Sequence, residues 1–353
     1  MSNANVIICQ DFRKDLTETV NECEHDQLYI LTDETTHELC LPLLKDIDVM
    51  ENAHPIVIGA GDVNKNIDTL ARVWQALSDG GASRHSLMIC LGGGMVTDLG
   101  GFAASTFKRG IPYINIPTTL LAMVDAAVGG KTAINFNGLK NEVGVFQPAV
   151  KVLLETEFLR TLDIQNILSG YAEMLKHGLI SDYATLNELL AFDLANIDYA
   201  LLKQMVGKSV SVKEQIVAKD PREQGIRKAL NLGHTVGHAF ESLALSQNRP
   251  VLHGYAVAWG MICELYLSYV QAQFPRDVIR QVIHFIHENY GCFAFTCDDY
   301  EQLYNFMKHD KKNTAGIINF TLLNDVGELC LNQTATQSLI YETLDFYREC
   351  MGM

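Results

Sequence analysis

Short apolar runs alternate with a helical pattern along the first third of the sequence, and this alternation constrains the fold more than any other feature. The runs occupy residues 6–9, 28–32, 55–60, 86–94 and 112–119. Between two of them, residues 68–78 place Leu70, Val73, Trp74 and Leu77 on one helical face. Strands separated by amphipathic helices are typical of a parallel sheet. We therefore predict an α/β fold for the first half.

The second half has a different character, because strand signals fade after about Phe158 and long helical patterns follow. The helical patterns occupy residues 166–180, 182–195, 199–218, 231–246, 254–273 and 276–289. A strand pair is predicted at 317–323 and 328–331, with a turn at 324–327. A chain of 353 residues is long enough for two domains. We expect an α/β domain over 1–157 and a mainly α-helical domain over 158–353.

Composition narrows the classes of partner and location. A formal net charge of -15 repels phosphate backbones, so nucleic acid and anionic membranes are not expected as partners. The nine cysteines contain no CxxC pair and do not indicate a disulfide framework, which favours a reducing cytoplasm. The N-terminus lacks a secretory signal pattern. The most apolar window, Val251–Val270, contains His253 and Glu264 and is expected to be a buried helix rather than a membrane span.

A glycine turn separates the fourth apolar run from a helical pattern. Leu87–Leu91 is followed by Gly92, Gly93 and Gly94 and then by the helical pattern 95–105. Glycines allow close backbone approach to a pyrophosphate, and the helix N-terminus attracts anions. The spacing is not GxGxxG. A dinucleotide site and a simple tight turn both remain open, and Asp98 is expected to cap the helix or contact a cofactor.

A second glycine cluster precedes Lys131. Gly129-Gly130-Lys131 resembles the end of a P-loop, but Asp125 stands where that motif requires glycine, so we exclude a nucleoside triphosphate site. With Lys140 and Asn141 downstream, the segment indicates a pocket for a small anion. The alternative is a solvated loop lysine.

Histidines and a glutamate suggest a metal site. Glu173 and Lys176 lie within one helical turn, where an ion pair is the simplest interpretation. His234 and His238 share a helical face at i and i+4, and His253 follows later. Two histidines and a distant carboxylate are a good ligand set for zinc. Spacing alone does not decide which two of the three histidines join Glu173.

Several cations follow the proposed metal ligands along the chain. Lys213, Arg227 and the polar residues Glu223 and Asn231 recur at roughly helical intervals, and a lysine cluster appears at residues 308–312. Cations beside a metal indicate a substrate with more than one negative group. The alternative is that each is an ordinary surface charge.

An ordered set of sequence blocks carries a resemblance to a known family. The blocks are GGGMVTDLGGFAASTFKRG, IPTTLLAMVDAAVGGKTAIN, LKNEVGVF, SGYAEMLKHGLI, DPREQGIRKALNLGHTVGHAFE, HGYAVAWGM and KHDKKN. In content and order, from about residue 55 to 328, they resemble the 3-dehydroquinate synthase family of the sugar phosphate cyclases. The resemblance implies an N-terminal Rossmann-like domain with NAD, a helical C-terminal domain with one divalent metal, Zn²⁺ or Co²⁺, and a homodimer.

The resemblance also assigns roles to individual residues. It implies metal ligation by Glu173, His234 and His253. It places His238 near the substrate phosphate together with Arg109 (from a second subunit), Lys131, Asn141, Lys311 and Lys312. The substrate carboxylate would be received by Lys213, Arg227 and Asn231, and its hydroxyls by Asp125, Lys176 and Glu223. NAD would contact Asp33, Asp62, Lys65, Gly93, Gly94, Met95, Asp98, Thr118, Thr119, Lys140, Phe158, Thr161 and Leu162.

The activity implied by the resemblance is a cyclisation in the shikimate pathway. The phosphorylated keto acid 3-deoxy-D-arabino-heptulosonate 7-phosphate would become 3-dehydroquinate by transient oxidation, phosphate elimination, reduction and aldol closure. The alternatives are a cyclase for a sugar phosphate without a carboxylate, a metal-dependent polyol dehydrogenase, and a catalytically silent NAD sensor. Asp62, Asn166 and Tyr255 depart from the family pattern, but none is a predicted metal ligand or substrate cation.

Overall fold

The computed structural model describes residues 5–309 and 317–353, which form two compact units, Met1–Asp163 and Ile164–Met353. The division falls at Asp163/Ile164 rather than at 157/158. The reason is that the short 3₁₀ helix Thr156–Thr161 packs with the first unit, where the rings of Phe158 and Phe12 meet edge to face at 5.5 Å.

The first unit contains a six-stranded parallel sheet in the order β1-β8-β5-β4-β2-β3. This confirms the α/β class predicted from the alternating runs. Its elements are β1 Asn5–Ile8, α1 Phe12–Glu22, β2 Leu28–Asp33, α2 Glu34–Leu39, β3 His54–Ile58, α3 Ile67–Asp79, β4 Leu87–Gly92, α4 Gly94–Thr106, β5 Tyr113–Pro117, β6 Lys131–Phe136, β7 Leu139–Phe146 and β8 Lys151–Leu154.

The middle of this sheet forms the core of the first unit. Every residue of β2, β4 and β5 is buried, as expected for parallel strands covered on both faces. Helix α3 buries Leu70, Val73 and Leu77 through the face that the sequence predicts, while Trp74 is half-buried. Asn66 caps the start of α3 by accepting a hydrogen bond from the Thr69 N–H at 2.9 Å.

Three strands of the first unit are missing from the sequence prediction. Strands β6 and β7 form an antiparallel hairpin, so Lys131 begins a strand rather than lying in a loop. Asn137 and Gly138 at its turn have φ angles of 49° and 78°, which is the conformation that Asn-Gly favours in tight hairpins. The Asn-Gly pair was therefore an available signal. Strand β8 pairs with both β1 and β5.

The second unit is mainly helical, as predicted. Its elements are α5 Ile164–Leu179, α6 Tyr183–Ala191, α7 Tyr199–Lys219, α8 His234–Ser246, α9 His253–Ala272, α10 Arg276–Tyr290, α11 Tyr300–Lys308, β9 Phe320–Asp325, β10 Glu328–Gln333 and α12 Gln337–Cys350. The antiparallel pair β9–β10 confirms the expected strand pair. Among the described residues, every helix is too short or too polar to cross a membrane.

Two glycines of α9 allow neighbouring helices to approach it at backbone distance. A Cβ at Gly254 would lie 1.8 Å from the carbonyl oxygen of Ser169 in α5. A Cβ at Gly260 would lie 2.1 Å from the carbonyl oxygen of Gly233, immediately before α8. Real Cβ atoms do not approach backbone this closely, so α9 requires glycine at both positions.

Replacing Gly260 by alanine should therefore destabilise the second unit, because the new methyl group meets backbone that cannot rotate away. We expect a loss of about 3 kcal/mol in the free energy of unfolding, measured by urea denaturation of metal-free protein. The control is Gly138→Ala, where φ is 78° but nothing lies within 4 Å. Its cost should be about 1 kcal/mol, from backbone strain alone. Equal losses in the two variants would contradict the crowding argument.

Candidate functional site

Three side chains predicted as metal ligands converge in the second unit. Glu173 lies in the middle of α5, His234 is the first residue of α8, and His253 is the first residue of α9. The Nε2 atoms of His234 and His253 lie 3.3 Å and 3.7 Å from the same carboxylate oxygen, Oε1 of Glu173. Two helix starts and one helix centre therefore present three ligand atoms to one point.

The chemistry of this donor set fits a divalent cation. Glu173 is fully buried, and its Oε1 accepts no hydrogen bond of ordinary geometry from the described residues. The Nδ1 atom of His234 lies 3.1 Å from the Leu232 carbonyl oxygen, and Nδ1 of His253 lies 3.4 Å from Oε2 of Glu241. With an N–H at each Nδ1, each Nε2 becomes a lone-pair donor when it loses its proton, the arrangement of metal-binding histidines.

The charge of Glu173 is balanced by its neighbours. Burial alone would raise the pKa of Glu173, but the charges of Lys176 and His234 hold the pKa well below its usual range. Lys176 forms an ion pair with Glu173 through the other oxygen, Oε2. Burial would lower the pKa of His253, but Glu173 and Glu241 raise it to about 9. The site therefore retains an ionised carboxylate inside the protein.

His238 lies close to the other two histidines, one turn after His234 on α8. One ring nitrogen of each histidine lies within 4.8 Å of those of the other two. The ring centroid of His238 is 5.4 Å from that of His234 and 5.7 Å from that of His253. The expected shared face at i and i+4 is present. Geometry alone still permits His238 as a ligand or as a neighbour of one.

The predicted carboxylate-binding residues do not lie on one continuous helix. Helix α7 carries buried Lys213 and ends at Lys219, and a loop then leads to a 3₁₀ helix, Ile226–Asn231. In this loop the Asp220 carboxylate accepts hydrogen bonds from the backbone N–H groups of Gln224, Gly225 and Arg227 at 2.6–3.0 Å. The Asp220 carboxylate thus holds the backbone of the loop that carries Glu223 and leads to Arg227.

The loop also fixes the side chains it presents. Arg227 is 2% exposed and donates from Nη1 to the Pro221 carbonyl at 2.7 Å. Asn231 donates from Nδ2 to Oε1 of Glu223 at 2.8 Å, and Glu223 has a φ of 57°. A buried guanidinium held by a backbone carbonyl is pre-oriented for a planar anion such as a carboxylate.

Sequence reasoning missed two carboxylates that support these residues, Glu241 and Asp220. Glu241 lies seven residues after His234, two helical turns along the face that also carries His238, so helical periodicity could have identified it. Asp220 is followed by Pro221, a typical start of a turn, and this signal was also available.

In the first unit, the strand order indicates where a ligand would bind. The chain proceeds from β2 to β3 on one side and from β4 to β5 on the other, so the order reverses between β2 and β4. Open parallel sheets bind ligands at the carboxyl ends of the strands at such a point. Asp33 ends β2, and Gly93 and Gly94 follow β4 at the start of α4. The glycine turn therefore lies where a dinucleotide would be expected.

The glycines of this turn allow close packing and do not adopt a positive φ. Gly93 has φ −71° and supplies no side chain to cap α4. A Cβ at Gly93 would lie 3.1 Å from Cγ2 of Thr119, and one at Gly94 would lie 3.0 Å from Cβ of Ala126. Met95 occupies the first turn of α4, and Thr118, buried after β5, donates its N–H to the Gly92 carbonyl at 3.0 Å. These contacts form a tight backbone cradle.

A polar cluster joins the hairpin to the neighbouring loop. Buried Lys65 donates to Oδ2 of Asp98 at 2.5 Å and also to Oδ1 of Asn141. Lys140 lies 3.7 Å from Oδ2 of Asp62. Asp98 therefore pairs with Lys65 instead of capping α4. The structure brings together five residues that were predicted for the cofactor or for substrate phosphate.

The remaining predicted residues have varied environments. Asp33 caps α2 through the Thr36 N–H at 2.8 Å, and Asp125 lies in a π-helical turn, Ala122–Ala126. Phe158 has a fully buried side chain, so any ligand contact there requires backbone atoms. Thr161 donates its hydroxyl to the Phe158 carbonyl at 2.7 Å, and Leu162 is the C-cap that follows this 3₁₀ helix.

The remaining residues predicted to bind the substrate phosphate are Arg109, Lys311 and Lys312. Arg109 is exposed, and its φ of 71° follows a φ of 48° at Lys108, so both residues adopt a strained left-handed backbone. Lys311 and Lys312 lie outside the described residues.

Family models and a full-length relative match this chain. The family models "3-dehydroquinate synthase N-terminal" and "3-dehydroquinate synthase C-terminal" match residues 55–169 and 170–313. A 3-dehydroquinate synthase from Parabacteroides distasonis is 56% identical over 353 residues, covering 100% of both chains.

Solved structures share the fold. A 2-deoxy-scyllo-inosose synthase complexed with carbaglucose-6-phosphate, NAD⁺ and Co²⁺ has a TM-score of 0.86 at 22% identity, covering 98% of this chain and 96% of that one. A 2-epi-5-epi-valiolone synthase from Streptomyces hygroscopicus with NAD⁺ and Zn²⁺ bound has a TM-score of 0.85 at 24% identity, covering 99% and 98%. By its family matches and its full-length relative, the chain belongs to the 3-dehydroquinate synthase family.

Proposed function

We propose that this chain is a 3-dehydroquinate synthase, a carbon–oxygen lyase that converts 3-deoxy-D-arabino-heptulosonate 7-phosphate into 3-dehydroquinate and inorganic phosphate. The observation that carries the proposal is the convergence of Glu173, His234 and His253 in a chain that is 56% identical to such an enzyme over its full length. A catalytically silent NAD-binding relative would not need to retain all three ligands.

The proposed cofactors are NAD and one divalent metal, Zn²⁺ or Co²⁺. Glu173, His234 and His253 would hold the cation, and the glycine cradle at Gly93 and Gly94 would hold the pyrophosphate of NAD. When bound, the pair supplies a Lewis acid for adjacent substrate hydroxyls and a hydride acceptor that is restored within each turnover. The metals and NAD⁺ in the two solved cyclases support this choice.

The residues of this chain would orient a substrate with two anionic ends. Lys213, Arg227 and Asn231 would receive the carboxylate, with the Arg227 fork already held by Pro221. Asp125, Lys176 and Glu223 would hydrogen-bond the hydroxyls. His238, Lys131 and Asn141 would bind the phosphate, together with Arg109, Lys311 and Lys312. Such positioning would orient the leaving phosphate for elimination.

The proposed NAD contacts all lie in the first unit. Asp33, at the end of β2, is placed as ribose-binding acidic residues are in dinucleotide folds. The cluster of Asp62, Lys65, Asp98 and Lys140 would surround the cofactor beside the cradle. The other residues proposed for this role are Met95, Thr118, Thr119, Phe158, Thr161 and Leu162.

Two rival activities can be distinguished from the proposed synthase activity. A cyclase for sedoheptulose 7-phosphate or glucose 6-phosphate would have no carboxylate to bind, so the buried Arg227 and Lys213 favour the heptulosonate. A metal-dependent polyol dehydrogenase would release NADH, whereas a cyclase restores NAD⁺ in each turnover.

We also propose a homodimer and a cytoplasmic location. All eight residues of β7 are exposed, including the apolar side chains Leu139, Val143, Val145 and Phe146. An exposed apolar strand is typical of a surface that binds a partner, and the proposed role of Arg109 requires a second subunit. The location is supported by nine cysteines that form no disulfide.

The activity test is phosphate release from the heptulosonate 7-phosphate by purified protein. One phosphate per dehydroquinate should appear, NAD should be required, a chelator should abolish the reaction, and nicotinamide absorbance should show no net change. Phosphate release from a sugar phosphate without a carboxylate, with none from the heptulosonate, would overturn the proposal. Net NADH formation would indicate the dehydrogenase instead.

Replacing His253 by alanine should remove one ligand and lower metal content. Metal per chain after dialysis should fall from about one to below a tenth, measured by plasma emission spectrometry, because two protein ligands hold the cation poorly. His287→Ala, an exposed histidine on α10, is the matched control and should keep the parent content. Equal content in His253→Ala and the parent would remove His253 from the site.

Replacing Arg227 by glutamine should weaken carboxylate recognition. Loss of a charge-assisted pair worth about 2 kcal/mol predicts roughly a thirtyfold fall in kcat/KM, mainly through KM. Arg222→Gln, an exposed arginine in the same loop, should change kcat/KM less than twofold. A similar fall in both variants would indicate a general effect on the loop or on its charge.

Replacing Val143 by aspartate should weaken the proposed dimer, because a charge would enter an apolar interface. Sedimentation equilibrium should show at least a tenfold larger dissociation constant than for the parent. The control is Leu43→Asp, an exposed apolar residue elsewhere in the same unit. A Val143→Asp protein that dimerises like the parent would place the interface elsewhere.

A further inference from the structure

Helix α8 begins with a proposed metal ligand but lacks a conventional cap. Its N-cap residue is Gly233, with φ 79° and no side chain to accept the first N–H groups. A helix start leaves four N–H groups without helical partners, and burying them unbonded costs free energy. A distant residue must therefore supply the acceptors at this buried helix start.

The acceptor is the carboxylate of Glu264, a fully buried residue in α9. Its Oε2 accepts from the Gly233 N–H at 2.7 Å, and its Oε1 accepts from the N–H groups of Thr235 and Val236 at 2.9 Å and 3.1 Å. A negative charge at this position also interacts favourably with the helix dipole. One side chain from another helix thus caps α8.

The bonded N–H groups lie on both sides of His234. Gly233 precedes it and Thr235 follows it, so the backbone that sets the direction of the His234 side chain is fixed by one carboxylate. The Leu232 carbonyl then fixes the ring through Nδ1 at 3.1 Å. Together these contacts aim Nε2 at Oε1 of Glu173, 3.3 Å away.

Glu264 also links the two histidines of the proposed ligand set. Helix α9 begins at His253 and carries Glu264 about three turns later. The same helix therefore supplies one ligand and anchors the backbone of the other. A shift of α8 along α9 would stretch three hydrogen bonds and separate the two Nε2 atoms.

We propose that Glu264 is a positioning residue for the metal centre, acting through the backbone around His234. The inference rests on the metal site proposed above. It assigns to Glu264 the role that outer carboxylates have in other metal sites, where their loss typically lowers metal affinity 10–100-fold. Here the carboxylate bonds the ligand's backbone rather than its ring.

The test compares Co²⁺ binding by Glu264→Gln with that of the parent. Glutamine has nearly the same shape, but one terminal atom becomes an NH₂ group that faces an N–H donor and accepts nothing. We expect the Kd for Co²⁺, measured by competition with a chromophoric chelator, to rise at least tenfold. The visible spectrum of the bound Co²⁺ should also change, because the ligand geometry changes.

Ser268→Ala is the matched control on the same helix. Ser268 is buried, donates to the Glu264 carbonyl at 2.7 Å and accepts from the Leu323 N–H at 3.1 Å, away from α8. Its loss should lower the melting temperature but leave the Co²⁺ Kd within twofold. Should Glu264→Gln not fold, Glu264→Asp is measured instead and should still exceed the Kd of Ser268→Ala at least threefold.

The outcomes separate this inference from the function proposed above. A Co²⁺ Kd of Glu264→Gln, or of its Glu264→Asp substitute, equal to that of Ser268→Ala would overturn the positioning role and leave the metal site intact. A parent protein that binds no Co²⁺, or binds it equally well after His234→Ala, would overturn the metal site itself.

Discussion

The buried carboxylate of Glu173 is the constraint around which the second unit is organised. An isolated ionised carboxylate cannot be buried without compensation, since its desolvation costs several kcal/mol. Here Lys176 pairs with one oxygen, and two histidine Nε2 atoms face the other. The pKa of Glu173 consequently stays low, and the charge is available to a cation.

Contacts between the helices hold Glu173, His234 and His253 in this arrangement. Gly254 and Gly260 allow α5 and the start of α8 to approach α9 at backbone distance. Glu264 then bonds the N–H groups around His234, and Glu241 holds the ring of His253. Side-chain size and hydrogen bonding together set the distances at the site, which is the usual requirement for a pre-organised metal centre.

Much of the fold and part of the candidate site were predictable from the sequence because their signals are local. The alternating runs indicated the parallel sheet, and i, i+4 spacing placed His234 and His238 on one face. The hairpin after Lys131 was missed although Asn137-Gly138 marks its turn, because β7 is exposed along its whole length and so lacks the apolar run of a buried strand. The cap from Glu264 could not be predicted, since it joins residues about thirty apart through tertiary packing and leaves no periodic signal.

The ligand set is the central claim, and spacing alone could not choose between His238 and its two neighbours. The most direct measurement is anomalous diffraction from crystals loaded with Co²⁺. The account predicts one peak within about 2.0–2.2 Å of Oε1 of Glu173 and of Nε2 of both His234 and His253. A peak bonded to His238 in place of either histidine, or no peak beside Glu173, would contradict it.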